Sequence, residues 1–221
     1  NDGEFFSDHG TQTAGLEWPK GSNVYSVFSS SMWIGAKVKS PTDSTKEEIR
    51  VATVGHFGSE LRPGMILSDG TADDYTKSKY HYYKVKPNED SPLTNQDFAD
   101  WPTDQGAPFA DLDGDGIYNP NNDKPALLWG DDVVYPDMMM FAVYNDADEA
   151  FHTWIWGQSK PLGAEVRQLS WAYNRAGPFG QMIFMRFEVI NKSQNVWDSA
   201  YLCVWSDPDL GNAFDDCAGV D

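Results

Sequence analysis

The chain has 221 residues, of which 40% are hydrophobic and 14% aromatic, with 16 basic against 34 acidic side chains for a net charge of −18. That length suits a single β-sandwich, and a chain of this size buries roughly 70% of its unfolded surface, enough to fold without a disulfide scaffold. So negative a chain repels phosphate backbones and anionic lipid surfaces, which excludes nucleic acid as a partner, and no run of about 18 apolar residues is present to insert a helix into a membrane.

Residues 1–22 are rich in Gly, Ser, Asp and Thr and read as an extended N-terminal segment, followed by a single β-rich domain over 23–221. Residues 24–39 alternate like a strand but are interrupted by small residues at 29–31 and by Gly35, which predicts two short strands or one bent one. A turn at 41–44 precedes a strand over 48–56, and Pro63-Gly64 marks another turn. The aromatic run 80–86 reads as a strand. Asn95 is placed to cap a short helix through Asp100, because its side chain accepts hydrogen bonds from the orphan N–H groups of a helix start.

Strand patterns then follow over 133–145, 151–156, 165–173, 182–190 and 200–205, with residues 191–195 as the turn between the last two. Eight to ten strands at this spacing predict an all-β fold, an antiparallel β-sandwich with long calcium-stabilised loops and little helix.

The most informative run is Asp111-Leu112-Asp113-Gly114-Asp115-Gly116-Ile117-Tyr118-Asn119-Pro120-Asn121-Asn122-Asp123. Calcium takes six to eight oxygen ligands at about 2.3–2.6 Å. Asp111, Asp113 and Asp115 fill the first, third and fifth positions of such a loop. Gly116 fills the sixth, where the chain must bend sharply, and the Ile117 carbonyl the seventh. A helix-flanked loop carries Glu at the twelfth position; here Asn122 is twelfth and the acid, Asp123, thirteenth. The run therefore resembles thrombospondin type 3 and dockerin-like calcium loops more than a helix-loop-helix sensor. The alternative is a polar surface loop full of turn formers, an unfavourable way to crowd three like charges.

A second acidic cluster brings Asp207, Asp209, Asp215 and Asp216 within one short segment after an apolar strand. It reads as a second cation site, a solvated acidic tail or a catalytic acid pair. The two cysteines, Cys203 and Cys217, fit no zinc pattern and stand as a disulfide candidate or as two thiols. A bridge would close a loop contributing on the order of 3 kcal/mol.

Enzyme signatures are sparse. His9, His56, His81 and His152 are isolated from one another, and no GxSxG elbow or Gly-rich phosphate loop occurs. Glu60, Glu165 and Glu188 are candidates for the carboxylate pair of a glycosidase, or else strand residues in ion pairs. Trp154, Trp156 and Trp171 are candidates for a sugar-stacking platform, against the commoner core role.

The order of Trp33-Ile34-Gly35-Ala36-Lys37, Arg62-Pro63-Gly64, residues 111–125, residues 157–165, Ile190-Asn191-Lys192-Ser193 and Asp207-Pro208-Asp209-Leu210-Gly211 resembles the N-terminal β-rich region of large secreted surface proteins of Bacteroidetes-type bacteria, cargo of type IX secretion. The resemblance implies export, a multi-domain parent and an extracellular or cell-surface location. It supplies no catalytic residue. A chain beginning at Asn1 without a basic-then-apolar leader is expected to be a mature product or an excised piece. The expectation is a calcium-stabilised structural or surface module, binding Ca2+ and associating with itself or with other surface domains. Residues 1–22 are its candidate strand donor. A polysaccharide-binding module or glycan hydrolase is the alternative.

Overall fold

The computed structural model describes residues 2–11, 13–40, 42–43, 45–55, 58–153 and 157–209. Ten strands form the two main sheets: β1 (Glu4–Phe5), β2 (Leu16–Glu17), β3 (Tyr25–Lys39), β4 (Glu47–Ala52), β5 (Arg62–Pro63), β6 (Tyr83–Val85), β7 (Met138–Asn145), β8 (Ala164–Ala172), β9 (Ile183–Asn191) and β10 (Val196–Pro208). Every pairing among them is antiparallel. The chain is thus all-β, with one α-helical turn, α1 (Gln96–Ala99), and a few 3-10 turns.

The first sheet is organised by β3, which runs unbroken for 15 residues. Its small residues do not interrupt it; they let neighbours approach. Ser31 Oγ donates to the Val54 carbonyl at 2.7 Å, and Ser30 Oγ donates to Ser206 Oγ at 2.8 Å. One edge of β3 is occupied along its length by β10, from Val196 opposite Lys39 to Pro208 opposite Val27. Its other edge is shared by β4, β1 and β2 in turn.

That last pairing corrects the expectation of a free N-terminal strand donor. Glu4 and Phe5 pair with Ser31 and Ser30, and Leu16 and Glu17 pair with Val27 and Tyr25. The Glu4 carboxylate is buried and needs donors there; Ser29 Oγ supplies one at 2.5 Å, and His9 Nε2 lies 3.0 Å from its second oxygen.

The second sheet has the order β6-β7-β8-β9, with β5 also pairing with β7. Successive strand residues point to opposite faces, and both faces of this sheet are covered. Ala164, Val166 and Tyr144 pack with Met32, Ile34, Ala36 and Val38 of β3, so one buried cluster joins the two sheets. Met139, Phe141, Val143 and Leu169 face the other way, against Tyr83, Val85, Phe98 and Trp101. A strand buried on both faces loses its alternation, which is why residues 138–145 read as continuously apolar.

The helix expected after Asn95 is present: Asn95 Oδ1 accepts from the Asp97 amide at 2.9 Å. It carries Phe98 into the second cluster. The strand expected over 151–156 differs. Phe151 ends a 3-10 turn, Glu149–Phe151, whose start is capped by the Asp148 side chain accepting from the Ala150 amide. Residues 154–156 lie outside the described residues. No helix among the described residues is long and apolar enough to cross a membrane.

Candidate metal centre

The acidic loop hangs from a two-residue ladder in which Phe109 pairs with Pro125 and Ala110 with Lys124. Just above that ladder Asp123 is buried, at 1% exposure. Its Oδ1 accepts from the Leu112 amide at 2.9 Å and its Oδ2 from the Asn119 amide at 2.8 Å, so this carboxylate ties the two ends of the loop together. Between those ends the chain bends at Gly114 (φ +78°) and Gly116 (φ +76°). A Cβ carries a steric penalty in this left-handed region and hydrogen does not.

The bends fold the backbone around Asp111. Its Oδ1 accepts from the Gly114 amide at 2.7 Å and the Asp115 amide at 3.2 Å, and its Oδ2 from the Gly116 amide at 2.8 Å. The Gly116 amide, with those of Gly114 and Asp115, holds the Asp111 carboxyl below the usual carboxylate range. Asp115 Oδ1 accepts from the Ile117 amide at 2.8 Å. The result is that Asp111, Asp113 and Asp115 each offer an oxygen within 4.8 Å of the other two. Among the described residues this is the only grouping of three or more His, Cys, Asp or Glu side chains so close together.

All three acids are exposed. A carboxylate oxygen carries about two lone pairs, so an amide contact leaves a lone pair for a cation. Asn122, at the twelfth position, donates its side-chain amide to Asp113 Oδ2 at 3.0 Å and so faces the same centre. Its own amide oxygen is a ligand type calcium accepts. Sequence spacing puts Asn122 at the twelfth position and the acid, Asp123, at the thirteenth. The Ile117 side chain points to solvent, at 69% exposure, although it is apolar. A ligand that served through its carbonyl would place no demand on that side chain.

The second acidic cluster divides. Asp207 lies in β10 opposite Ser29, and the Asp209 amide donates to the Ser26 carbonyl at 3.1 Å. Asp215, Asp216 and Cys217 lie outside the described residues. Cys203 is exposed on β10, and its pairing with Cys217 falls outside them too.

The glycosidase candidates are fastened into the fold. Glu60 is 1% exposed, with Oε2 accepting from the Thr53 amide and hydroxyl at 2.9 Å each and Oε1 from the Gln158 amide at 2.9 Å. Glu165 is fully buried; it accepts from the Ile66 amide at 2.9 Å and from Arg167 Nη2 at 3.3 Å. Glu188, exposed, meets Arg167 Nη1 at 3.4 Å. Of the tryptophans, Trp171 stacks on Phe184 with ring centroids 5.7 Å apart and packs on the second core; Trp154 and Trp156 lie outside the described residues.

Sequence reading missed a buried polar cluster. Asp146, fully buried, accepts from the Leu162 and Ala164 amides at 2.6 Å each. His152 Nε2 donates to the Asp146 carbonyl at 2.8 Å and lies 3.5 Å from its carboxylate, while Nδ1 lies 4.0 Å from Glu60 Oε1. No local spacing signals it, because residues 60, 146 and 152 meet only through the tertiary fold.

Compared with known proteins, the chain matches no family model, no curated protein and no solved structure.

Proposed function

We propose that this chain is a calcium-stabilised β-module of an extracellular or cell-surface structure. The observation that carries the reading is the convergence of Asp111, Asp113 and Asp115 within 4.8 Å on a loop bent at two glycines. Like charges at that separation repel, and a divalent cation between them turns the repulsion into coordination. The Asp123 ties at the loop base support a role in stability, since a bound ion would brace the connection between residues 110 and 124. Magnesium fits less well, because it demands strict octahedral geometry with retained waters. The sequence resemblance to secreted surface proteins supports the extracellular location, where millimolar calcium keeps a weak site filled.

Thermal denaturation tests the reading. With affinity on the order of 10⁻⁴–10⁻³ M, about 10 mM free calcium stabilises the fold by about 1.4–2.7 kcal/mol, which raises Tm by about 3–10 °C for a chain of this size. Asp113→Ala is expected to lower Tm in calcium and leave it unchanged in chelator. Equal melting of the native chain with and without calcium would remove the proposal.

A further inference from the structure

Beyond the cluster that joins the two sheets, a cavity of about 300 Å³ lies between β1 and the inner face of the second sheet. Strand register builds its floor: Met140 lies opposite Ser170 and Ser170 opposite Met185, on the face turned away from Phe141 and Leu169. Phe5, Phe6 and Ser7 line the other side. Three consecutive residues of a regular strand cannot face one way. Phe6 breaks the alternation with φ +72°, a left-handed conformation that bulky side chains rarely adopt, and its carbonyl accepts from the Gly15 amide at 2.6 Å. Strain of this kind persists where it positions a site. A second pocket of about 140 Å³, lined mostly by apolar side chains, adjoins the first through Met140, Ser170 and Ile183, and Ile183, 50% exposed, leads to solvent. Two hydroxyls on the lining of the larger cavity, those of Tyr82 and Ser7, are buried and have no hydrogen-bond partner among the described residues. Gln168, on the same lining, is satisfied by the Tyr144 hydroxyl at 3.0 Å and by Ser170 Oγ at 3.2 Å. A buried hydroxyl left unpaired is costly, so these two mark a place where a second molecule completes the bonding. Burial, with the charge of Asp2, raises the Tyr82 phenol above its ordinary pKa, so it stays an O–H group able to donate.

We propose that this cavity binds a small, neutral, ring-bearing alcohol or phenol, with its ring among Phe5, Phe6, Met140 and Met185 and its hydroxyl on Tyr82 and Ser7. Size sets the first limit. An apolar cavity of about 150 Å³ accepts one benzene ring, so this one takes about two fused rings. The lining sets the second, because aromatic faces and thioether sulfur pack favourably on a ring. Charge sets the third. The Glu4 carboxylate lines the cavity, already held by Ser29 Oγ and His9, and its charge disfavours a carboxylate or phosphate ligand. The cavity shares no residue with the loop at 111–123, so ligand binding stands or falls apart from calcium.

The test is equilibrium titration of residues 1–221 with 2-naphthol, followed by the fluorescence of the probe, in calcium and in chelator. Saturable binding is expected in both, with Kd on the order of 10⁻⁵ M, and 2-naphthoate is expected to bind at least about tenfold more weakly. Ile183→Trp places a ring in the cavity from a half-exposed position and is expected to abolish binding in a chain that melts like the native one. Tyr82→Phe deletes a hydroxyl without a partner, so it is expected to keep its Tm and to lower the preference for 2-naphthol over naphthalene by about twofold to tenfold. Binding of 2-naphthol weaker than about 1 mM would mean that the cavity holds water alone and overturns the proposal. So does 2-naphthoate binding as tightly as 2-naphthol, a folded Ile183→Trp chain that binds like the native one, or a Tyr82→Phe chain that melts lower or keeps the native preference.

Discussion

Asp146 offers the sharpest test of how the buried polar groups hold this fold. Its carboxylate lies just past the end of β7 and accepts from the amides of Leu162 and Ala164 at 2.6 Å each, where the chain enters β8. Asp146→Ala leaves two buried donors without partners, at about 1–3 kcal/mol each, and removes the negative charge nearest His152. The expected loss is about 2–6 kcal/mol, a large part of a total stability of about 5–15 kcal/mol. Tm should fall by about 4–24 °C. Asp146→Asn keeps the shape but turns one acceptor into a donor facing an N–H group, so it should lose about half as much. Circular dichroism melts at neutral pH in calcium measure both, and hydrogen exchange at Leu162 and Ala164 should quicken first. Two variants that melt with the native chain and protect those amides normally would refute the assignment of this carboxylate as the tie between β7 and β8.

Two further outcomes follow from the same interior. Burial opposes the charging of His152, but the hydrogen bond and charge of Asp146, with Glu60 behind it, outweigh that and raise its pKa above the ordinary value. A raised folded pKa contributes stability that is complete below the unfolded value of about 6.5 and is lost as pH rises through the folded one; the Tm gap between the native chain and His152→Gln should therefore narrow from about pH 6 to pH 9, and a gap that widens contradicts the charge assignment. Phe141, 2% exposed and 6.1 Å from the Trp101 ring, anchors the second core; Phe141→Ala should cost about 3–5 kcal/mol in denaturant titration, and a loss under about 1 kcal/mol would mean that the loops over this face are not packed.

Strand content was legible because β-structure writes itself locally. The alternation over 165–173 predicts β8 almost to the residue, and Asn95 announces α1 through one side chain. The loop at 111–123 was legible for the same reason: its acids and glycines are close in sequence, so spacing carries geometry. What failed to show was whatever depends on partners far along the chain. Residues 1–22 look unpatterned because β1 and β2 are two residues long, too short for a period to appear, and pair with a strand that alone sets their register. His152 alternates with Trp154 and Trp156 as a strand residue would, yet Asp146 and Glu60, which meet it from elsewhere, place it in a turn after a 3-10 segment.

The strand β10 shows the limit of reading burial from pattern, and the limit is informative. Residues 200–205 contain no charge and no polar alternate, a composition that elsewhere in this chain means a strand covered on both faces, as in β7. β7 is covered because the first sheet lies on one side of it and the segment carrying Phe98 and Trp101 on the other. β10 has the same kind of sequence and neither cover over Leu202 and Val204. Water gives no reason for such a run to persist at an edge, where a single Lys or a charged inward residue would suppress unwanted pairing. The composition of a strand therefore records how apolar it is, and only the tertiary fold decides which of its faces is covered.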